Sequence, residues 1–382
     1  MRKSRVLRIV KYICVYYPML KKSYKILKKG VFMRQKSYYE EREISCIKRL
    51  DAIIETLPYF VREFFIGVEL RTSALTRLNY AYDLRVFFDF LTKKVFKSKQ
   101  IDAIELSDLA KLEAYDFEYF LSYLSNYTIN DKEERCTETG KARKLSTLRA
   151  FYKFFFNRNA LPANTPAKVS MPKIHQKEII RLDSNDNVDE IGDMLYAVET
   201  GNGLTKKQLA FHNATKLRDA AIVTLFLGTG IRISELVGLN VDDIDFNSNR
   251  FVVTRKGGNR DTLYFNEEVA SALHDYVDTK SEESLNKEKA LFLSLQNKRI
   301  SQRTVQELVK KYAKIASPLK KITPHKLRST FGTNLYKQTG DIYVVADCLG
   351  HKDVNTTKKH YAAITEDIRR KAATSMSITK KD

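Results

Sequence analysis

Thr323-Pro324-His325-Lys326-Leu327-Arg328 reads as the opening of a helix. Threonine offers an oxygen to the free amides of a first turn. Proline suits the first helical position, where its missing N–H would have had no partner. His325 and Arg328 stand three apart, so they share a face of that turn. The turn also carries unpaired amides and the positive end of the helix dipole. A histidine, an arginine and a helix start on one face make a phosphate site. The pair alone is common on ordinary surface helices, so its weight rests on its surroundings.

Upstream, Gly228-Thr229-Gly230-Ile231-Arg232-Ile233-Ser234-Glu235-Leu236 places Arg232 just after a glycine turn and near a helix start. Glu235, three residues on, can orient that arginine or pair with it as a plain surface salt bridge. Between the two segments, 250–255 and 261–265 read as strands. They are joined by Lys256-Gly257-Gly258-Asn259, a hairpin turn whose glycines supply positive φ. Downstream come Leu349-Gly350-His351, then Thr356-Thr357, then Tyr361. Helices are expected at 217–227, ending at Gly228, and at 304–315, 324–338 and 342–349.

The region before these motifs has a different texture. From about 40 to 160 apolar residues recur at three- and four-residue intervals, which predicts helices over 39–65, from Thr72 or Ser73 through Leu91, over 107–124 and over 145–156. No strand alternation competes. Residues 161–177 hold Pro162, Pro166 and Pro172, a density that removes amide donors and reads as a linker. The expected domains are a basic extension 1–32, a helical domain 33–160, the linker 161–177, a mixed domain 178–370 and a tail 371–382.

Charge points to the partner. The 382 residues carry 67 Lys and Arg against 46 Asp and Glu, a net +21. Residues 1–32 hold ten of the basic groups and no acid, so +11 remains on the rest. A basic excess spread along a chain favours polyanions, and nucleic acid is the common one. The 140–156 helix carries Lys141, Arg143, Lys144, Arg149 and Lys153, which are candidates for DNA backbone contacts. Cys14, Cys46, Cys136 and Cys348 are scattered, which predicts a reducing, cytoplasmic setting rather than a disulfide framework. No apolar run approaches the ~18 residues of a membrane span. The acidic run Asp242, Asp243, Asp245, Asn247 lacks the glycine and terminal glutamate of a calcium loop, and the histidines show no metal spacing. No cofactor is expected.

The ordered set TGIRISEL, a hairpin lysine, TPHKLRST, LGHKDVNTT and a tyrosine ten residues past that last histidine resembles the tyrosine recombinases, which include phage and conjugative-element integrases and Xer-type enzymes. The resemblance covers about residues 70–370. It implies a mainly α fold with a small β-sheet. A helical core-binding domain and an α+β catalytic domain would form a C-shaped clamp on DNA. It implies that Arg232 and Arg328 hold a phosphate, with Lys256, His325 and His351 beside them, Glu235 behind Arg232, and Tyr361 as nucleophile. In many members the tyrosine follows the histidine by nine residues, where this chain has His360.

The implied reaction is attack of the phenol on a phosphodiester, giving a 3′-phosphotyrosyl link and a free 5′-hydroxyl. Two arginine forks match the phosphoryl oxygens. Only roughly one tyrosine in a thousand is ionised at neutral pH, so a base is wanted, and His325 is the candidate. Lys256 is the candidate acid for the leaving oxygen. The family pattern further implies a homotetramer on two inverted-repeat sites, exchanging strands through a Holliday junction without metal or ATP. Integration and excision, dimer resolution and inversion share these residues, with accessory DNA-bending proteins as further partners. A type IB topoisomerase, a non-catalytic DNA-binding protein on the same fold and a nucleoid-type structural protein are the alternatives. The separate helical domain and the full motif order favour the recombinase.

Overall fold

The structure is a computed structural model and describes residues 37–129, 131–174, 180–185, 188–255, 257–280, 288–351 and 354. Lys256 and Tyr361 lie outside these residues, as do the 1–32 extension, His360 and the 371–382 tail. The chain is mainly helical with small sheets and divides into two compact units, Met1–Ile174 and His175–Asp382.

The first unit is built on α1 (Tyr38–Ile54), α2 (Val61–Val68), α3 (Ala74–Phe90), the short α4 (Leu106–Leu109), α5 (Ala114–Tyr123) and, after a small hairpin, α6 (Glu138–Phe156). The expected 39–65 helix is two helices, because Pro58 has no N–H to donate and disfavours helix in the residue before it. Its carbonyl instead accepts from Val61, which starts α2. Ser37 and Glu40 close a reciprocal capping box at the start of α1, while Ser73 and Thr137 cap α3 and α6. The hairpin pairs β1 (Tyr127–Ile129) with β2 (Lys132–Glu134), Tyr127 opposite Glu134. The sequence predicts no strand here, since three residues are too few for an alternation to register.

The core of this unit is aromatic. Phe64, Phe87, Phe88, Phe117, Phe120, Phe151 and Phe155 are all sealed from solvent. Most of these rings meet edge to face, as Phe64 on Phe151 (5.2 Å, 78°) and Phe87 on Phe120 (5.2 Å, 78°), while Phe87 and Phe117 stack (5.7 Å, 13°). Gly67 lets α2 approach α6, for a Cβ there would fall 2.1 Å from the Phe154 ring. The proline-rich stretch begins inside this unit. Leu161 and Val169 are buried in its core around a 3₁₀ turn, Thr165–Lys168.

In the second unit a two-residue hairpin, β3 (Ser184–Asn185) with β4 (Val188–Asp189), leads into α7 (Glu190–Thr200) and α8 (Lys206–Thr229). Then follow α9 (Ile233–Gly238), the antiparallel sheet β5 (Ile244–Asp245), β6 (Arg250–Thr254) and β7 (Arg260–Tyr264), and α10 (Glu267–Val277). The last elements are α11 (Gln302–Ala316), α12 (Pro324–Thr339) and α13 (Ile342–Cys348). Phe251, Val253 and Leu263 face the core, with Phe251 paired to Leu263. Helix α8 packs on α7, α10 and α12 and is the spine of the unit. It runs past the expected stop at Gly228 and ends at Gly230, whose φ of +60° is the left-handed turn that glycine adopts without strain.

Candidate active site

Three helix ends converge at the site. The first is the turn after α8, where Gly230 delivers Arg232 to the N-cap of α9. Glu235, in the first turn of α9, reaches back, and its carboxylate accepts from the Arg232 backbone N–H (3.0 Å) and from Arg232 Nη1 (2.9 Å). Glu235 is buried, so the charge it carries needs such partners.

The second is the start of α12. Pro324 occupies the first turn as expected, but Thr323 makes no side-chain cap; its carbonyl accepts from Lys326 and Leu327 instead. His325 stands on the exposed side of this turn. Arg328 points inward and is buried, with Nη1 donating to the Gly230 carbonyl and Nη2 to the Leu349 carbonyl.

The third is the end of α13. Gly350 takes a left-handed φ of +57°, its N–H donates to Asp347 O (2.7 Å), and the His351 N–H donates to Ala346 O (2.9 Å). This pair of bonds is a Schellman turn, so Leu349-Gly350-His351 is a helix stop that fixes the backbone of His351. The Gly350 carbonyl accepts from Arg232 Nη2 (3.0 Å). Carbonyls of this last turn carry the negative end of the helix dipole, which suits the two guanidiniums lying against them. Burial, with Asp347 adding to it, pushes the Cys348 thiol above its ordinary pKa and keeps it protonated.

The structure therefore brings together Arg232, Glu235, Arg328 and the His351 backbone, from segments about a hundred residues apart in sequence, with His325 on the first turn of the helix that carries Arg328. The sequence reading passes over Arg255. It donates Nε to Asp261 (2.9 Å) and Nη1 to both oxygens of Glu235 (3.3 Å each). An arginine and an aspartate on either side of a two-glycine turn are the signal that could have found it, because a hairpin places such residues side by side. Among the described residues no cluster of His, Cys, Asp or Glu could hold a metal ion, and no helix is long and apolar enough to cross a membrane.

The phage integrase family model matches residues 189–367, and the model of the SAM-like N-terminal domain of phage integrases matches 61–159. A tyrosine recombinase XerC of Caldanaerobacter subterraneus subsp. tengcongensis is 36% identical over 326 residues, covering 82% of this chain and 86% of that one. The chain belongs to the tyrosine recombinases. A tyrosine recombinase XerS of Streptococcus agalactiae is 30% identical over 349 residues, covering 85% of this chain and 97% of its own. Among solved structures, a XerH site-specific recombinase bound to palindromic difH substrate superposes with a TM-score of 0.56 at 16% identity, covering 75% of this chain and 76% of that one. A lambda integrase dimer bound to a core site gives 0.55 at 16%, covering 79% and 93%. At such identities these two establish the shared fold. The protein is a DNA-binding enzyme of site-specific recombination.

In the first unit of this recombinase, the five basic residues singled out on α6 go separate ways. Arg149 turns onto its own chain, donating Nε to Pro166 O (3.1 Å) and Nη2 to Val169 O. Lys144 is buried, and with Arg143 and Thr147 it converges on the buried carboxylate of Asp83. Lys141 pairs with Glu138 (3.0 Å). The Lys153 side chain is exposed, and Arg143 keeps about half of its side chain in solvent (49%).

Proposed function

We propose that this recombinase cuts and rejoins DNA through a covalent 3′-phosphotyrosyl intermediate at Tyr361, with Arg232 and Arg328 clamping the scissile phosphate. The observation that carries the reading is the convergence of these two arginines on the carbonyls of Gly230, Leu349 and Gly350. Five N–H donors less the two in contact leave Arg232 three donors for a phosphate. Those donors are fixed in a partly water-excluded site, where they stabilise the charge that gathers on the phosphoryl oxygens in the transition state.

In the proposed step the phenol oxygen of Tyr361 bonds to phosphorus while the bond to the 5′-oxygen breaks. His325 accepts the phenol proton, and Lys256 protonates the departing 5′-oxygen. His351 donates to a phosphoryl oxygen, on a backbone held by the Schellman turn. Glu235 orients Arg232. The phosphotyrosyl bond conserves the energy of the phosphodiester, so the 5′-hydroxyl of another strand can reverse the attack without ATP. Two such rounds exchange strand pairs through a Holliday junction, which needs four protomers on two inverted-repeat sites in the cytoplasm. A solved lambda integrase tetramer bound to a Holliday junction shares the fold (TM-score 0.54) and is consistent with that assembly. Exposed Arg143 and Lys153 are proposed to touch DNA backbone; the internal contacts of Arg149 and Lys144 give those two a structural part.

The test is a nicked suicide substrate carrying a site the protein binds specifically. Wild type should trap a covalent 3′-phosphotyrosine adduct and leave a free 5′-hydroxyl, and Tyr361→Phe should trap none. Specific binding without any adduct would overturn the enzymatic mechanism, and an adduct surviving in Tyr361→Phe would overturn the nucleophile.

A further inference from the structure

Arg255 has no part in the chemistry above, yet it is the most enclosed charge at the site after Glu235 and Arg328. Its side chain is 11% exposed, and its guanidinium is committed on two sides, to Asp261 (2.9 Å) and to both oxygens of Glu235 (3.3 Å). Its third side lies against the Schellman turn. A Cβ built on Gly350 would fall 2.6 Å from Arg255 Cζ and within 2.9 Å of both terminal nitrogens. A side chain at 350 would displace the guanidinium from where it lies, besides the positive φ that calls for glycine. Arg255 Nη2 is buried in that contact with no acceptor among the described residues. A buried N–H left unpaired is unfavourable, so the guanidinium is held by its other contacts and not by the needs of this nitrogen.

Glu235 thus lies between two arginines, and both arginines touch Gly350, Arg232 through a hydrogen bond to its carbonyl and Arg255 by packing on its Cα. We propose that Arg255 is a positioning residue for the phosphate clamp: by sharing the Glu235 carboxylate and filling the space beneath Gly350, it limits Arg232 to its one side-chain bond with Glu235 and holds the remaining Arg232 donors toward the scissile phosphate. The inference rests on the reading of Arg232 as a phosphate ligand. Without Arg255, Glu235 remains buried with a single guanidinium partner. Attraction in so enclosed a place is strong, and it draws the Arg232 charge away from DNA. The gap left under Gly350 also loosens the carbonyl that Arg232 leans on.

The experiment compares two suicide substrates with the full chain. One carries the ordinary scissile phosphodiester. In the other a methyl group replaces one non-bridging oxygen, giving a neutral methylphosphonate that has no need of a cationic clamp. On the phosphodiester, Arg255→Ala should cleave about 10- to 100-fold more slowly at saturating protein, the size of effect usual for a residue that orients a ligand from behind. Arg255→Lys, which keeps the charge and loses the fork, should fall between it and wild type, and both variants should bind the site as wild type does. On the methylphosphonate their deficits should nearly vanish, as that of Arg232→Ala should. If Arg232→Ala is rescued and the Arg255 variants lose equally on both substrates, Arg255 merely supports the fold and the proposal is overturned. Unimpaired cleavage of the phosphodiester by both Arg255 variants overturns it too. If Arg232→Ala itself is not rescued, the failure lies in the clamp reading on which the proposal stands.

Discussion

The core of the first unit and the site of the second are held by opposite means. The first is centred on a stack of phenylalanine rings from α2, α3, α5 and α6, in which side chain meets side chain, with one buried polar knot at Asp83 beside it. The site in the second unit is held by arginines on backbone carbonyls, Arg328 on Gly230 and Leu349, Arg232 on Gly350. Apolar burial is non-directional and scales with area, so the first arrangement tolerates small shifts and fails through lost volume. Hydrogen bonds from a planar fork are directional, so the second fixes angles and fails through lost geometry. Stability is thus concentrated in one means and catalytic precision in the other, and substitutions should separate the two.

The largest effect on folding is expected from Phe151→Ala, which empties the middle of the aromatic stack (Phe64, Phe88, Phe155 and Tyr152 all meet its ring). Urea unfolding should show a loss of about 3–5 kcal/mol. A loss within experimental error would mean the rings are not the mainstay of this unit. Arg232→Ala should invert the pattern, cutting single-turnover cleavage by about 10²- to 10³-fold while the urea midpoint barely moves. A large shift in midpoint with intact cleavage would erase the distinction between the units.

Arg149→Ala tests a carbonyl-bound arginine placed in the aromatic unit. It should cost about 1–3 kcal/mol of stability and leave the salt dependence of DNA binding unchanged, whereas Lys153→Ala should leave stability alone and lower that salt slope by about one. Exchanged outcomes would show that Arg149 faces DNA after all. The smallest effect concerns pH. A hydrogen bond from Lys99 (2.5 Å), followed by one from the Glu105 backbone, holds the Asp108 carboxyl below its ordinary pKa. A carboxylate depressed in the folded state adds stability above its unfolded pKa, and the gain fades as pH falls through the lower folded value. The deficit of Lys99→Met against wild type should therefore be full at about pH 6 and shrink toward about pH 2. A deficit constant across that range would assign it to packing by the lysine stem.

Much of this contrast is legible in the sequence, and unevenly so. Aromatic residues at helical spacing with Ser73 and Thr137 ahead of them announce the first unit, because burial and capping are properties of side chains. The order of Arg232, His325, Arg328 and His351 announces the family, and with it the proposed chemistry, for the same reason. Pro58 also marks a helix break, although the apolar spacing over 39–65 runs through it and masks the signal. The acceptors that aim the arginines are carbonyls, which every residue possesses, so nothing in the letters distinguishes Leu349 O from any other. Arg149 and Lys144 read as DNA contacts on a helix drawn alone; their inward turn depends on Val169 and Asp83, distant residues that periodicity does not connect. Arg255 stays hidden until Glu235 and Gly350 are seen beside it.

Arg328 has both terminal nitrogens on carbonyls, and Arg232 is tethered at two points before any DNA is present. An untethered arginine gives up about 1.5–2 kcal/mol of rotamer freedom when it is immobilised. Here that ordering has already happened during folding. On the proposed reading, cutting and joining then meet one stationary frame, so the site has little leaning toward either, and the direction of exchange is left to the DNA.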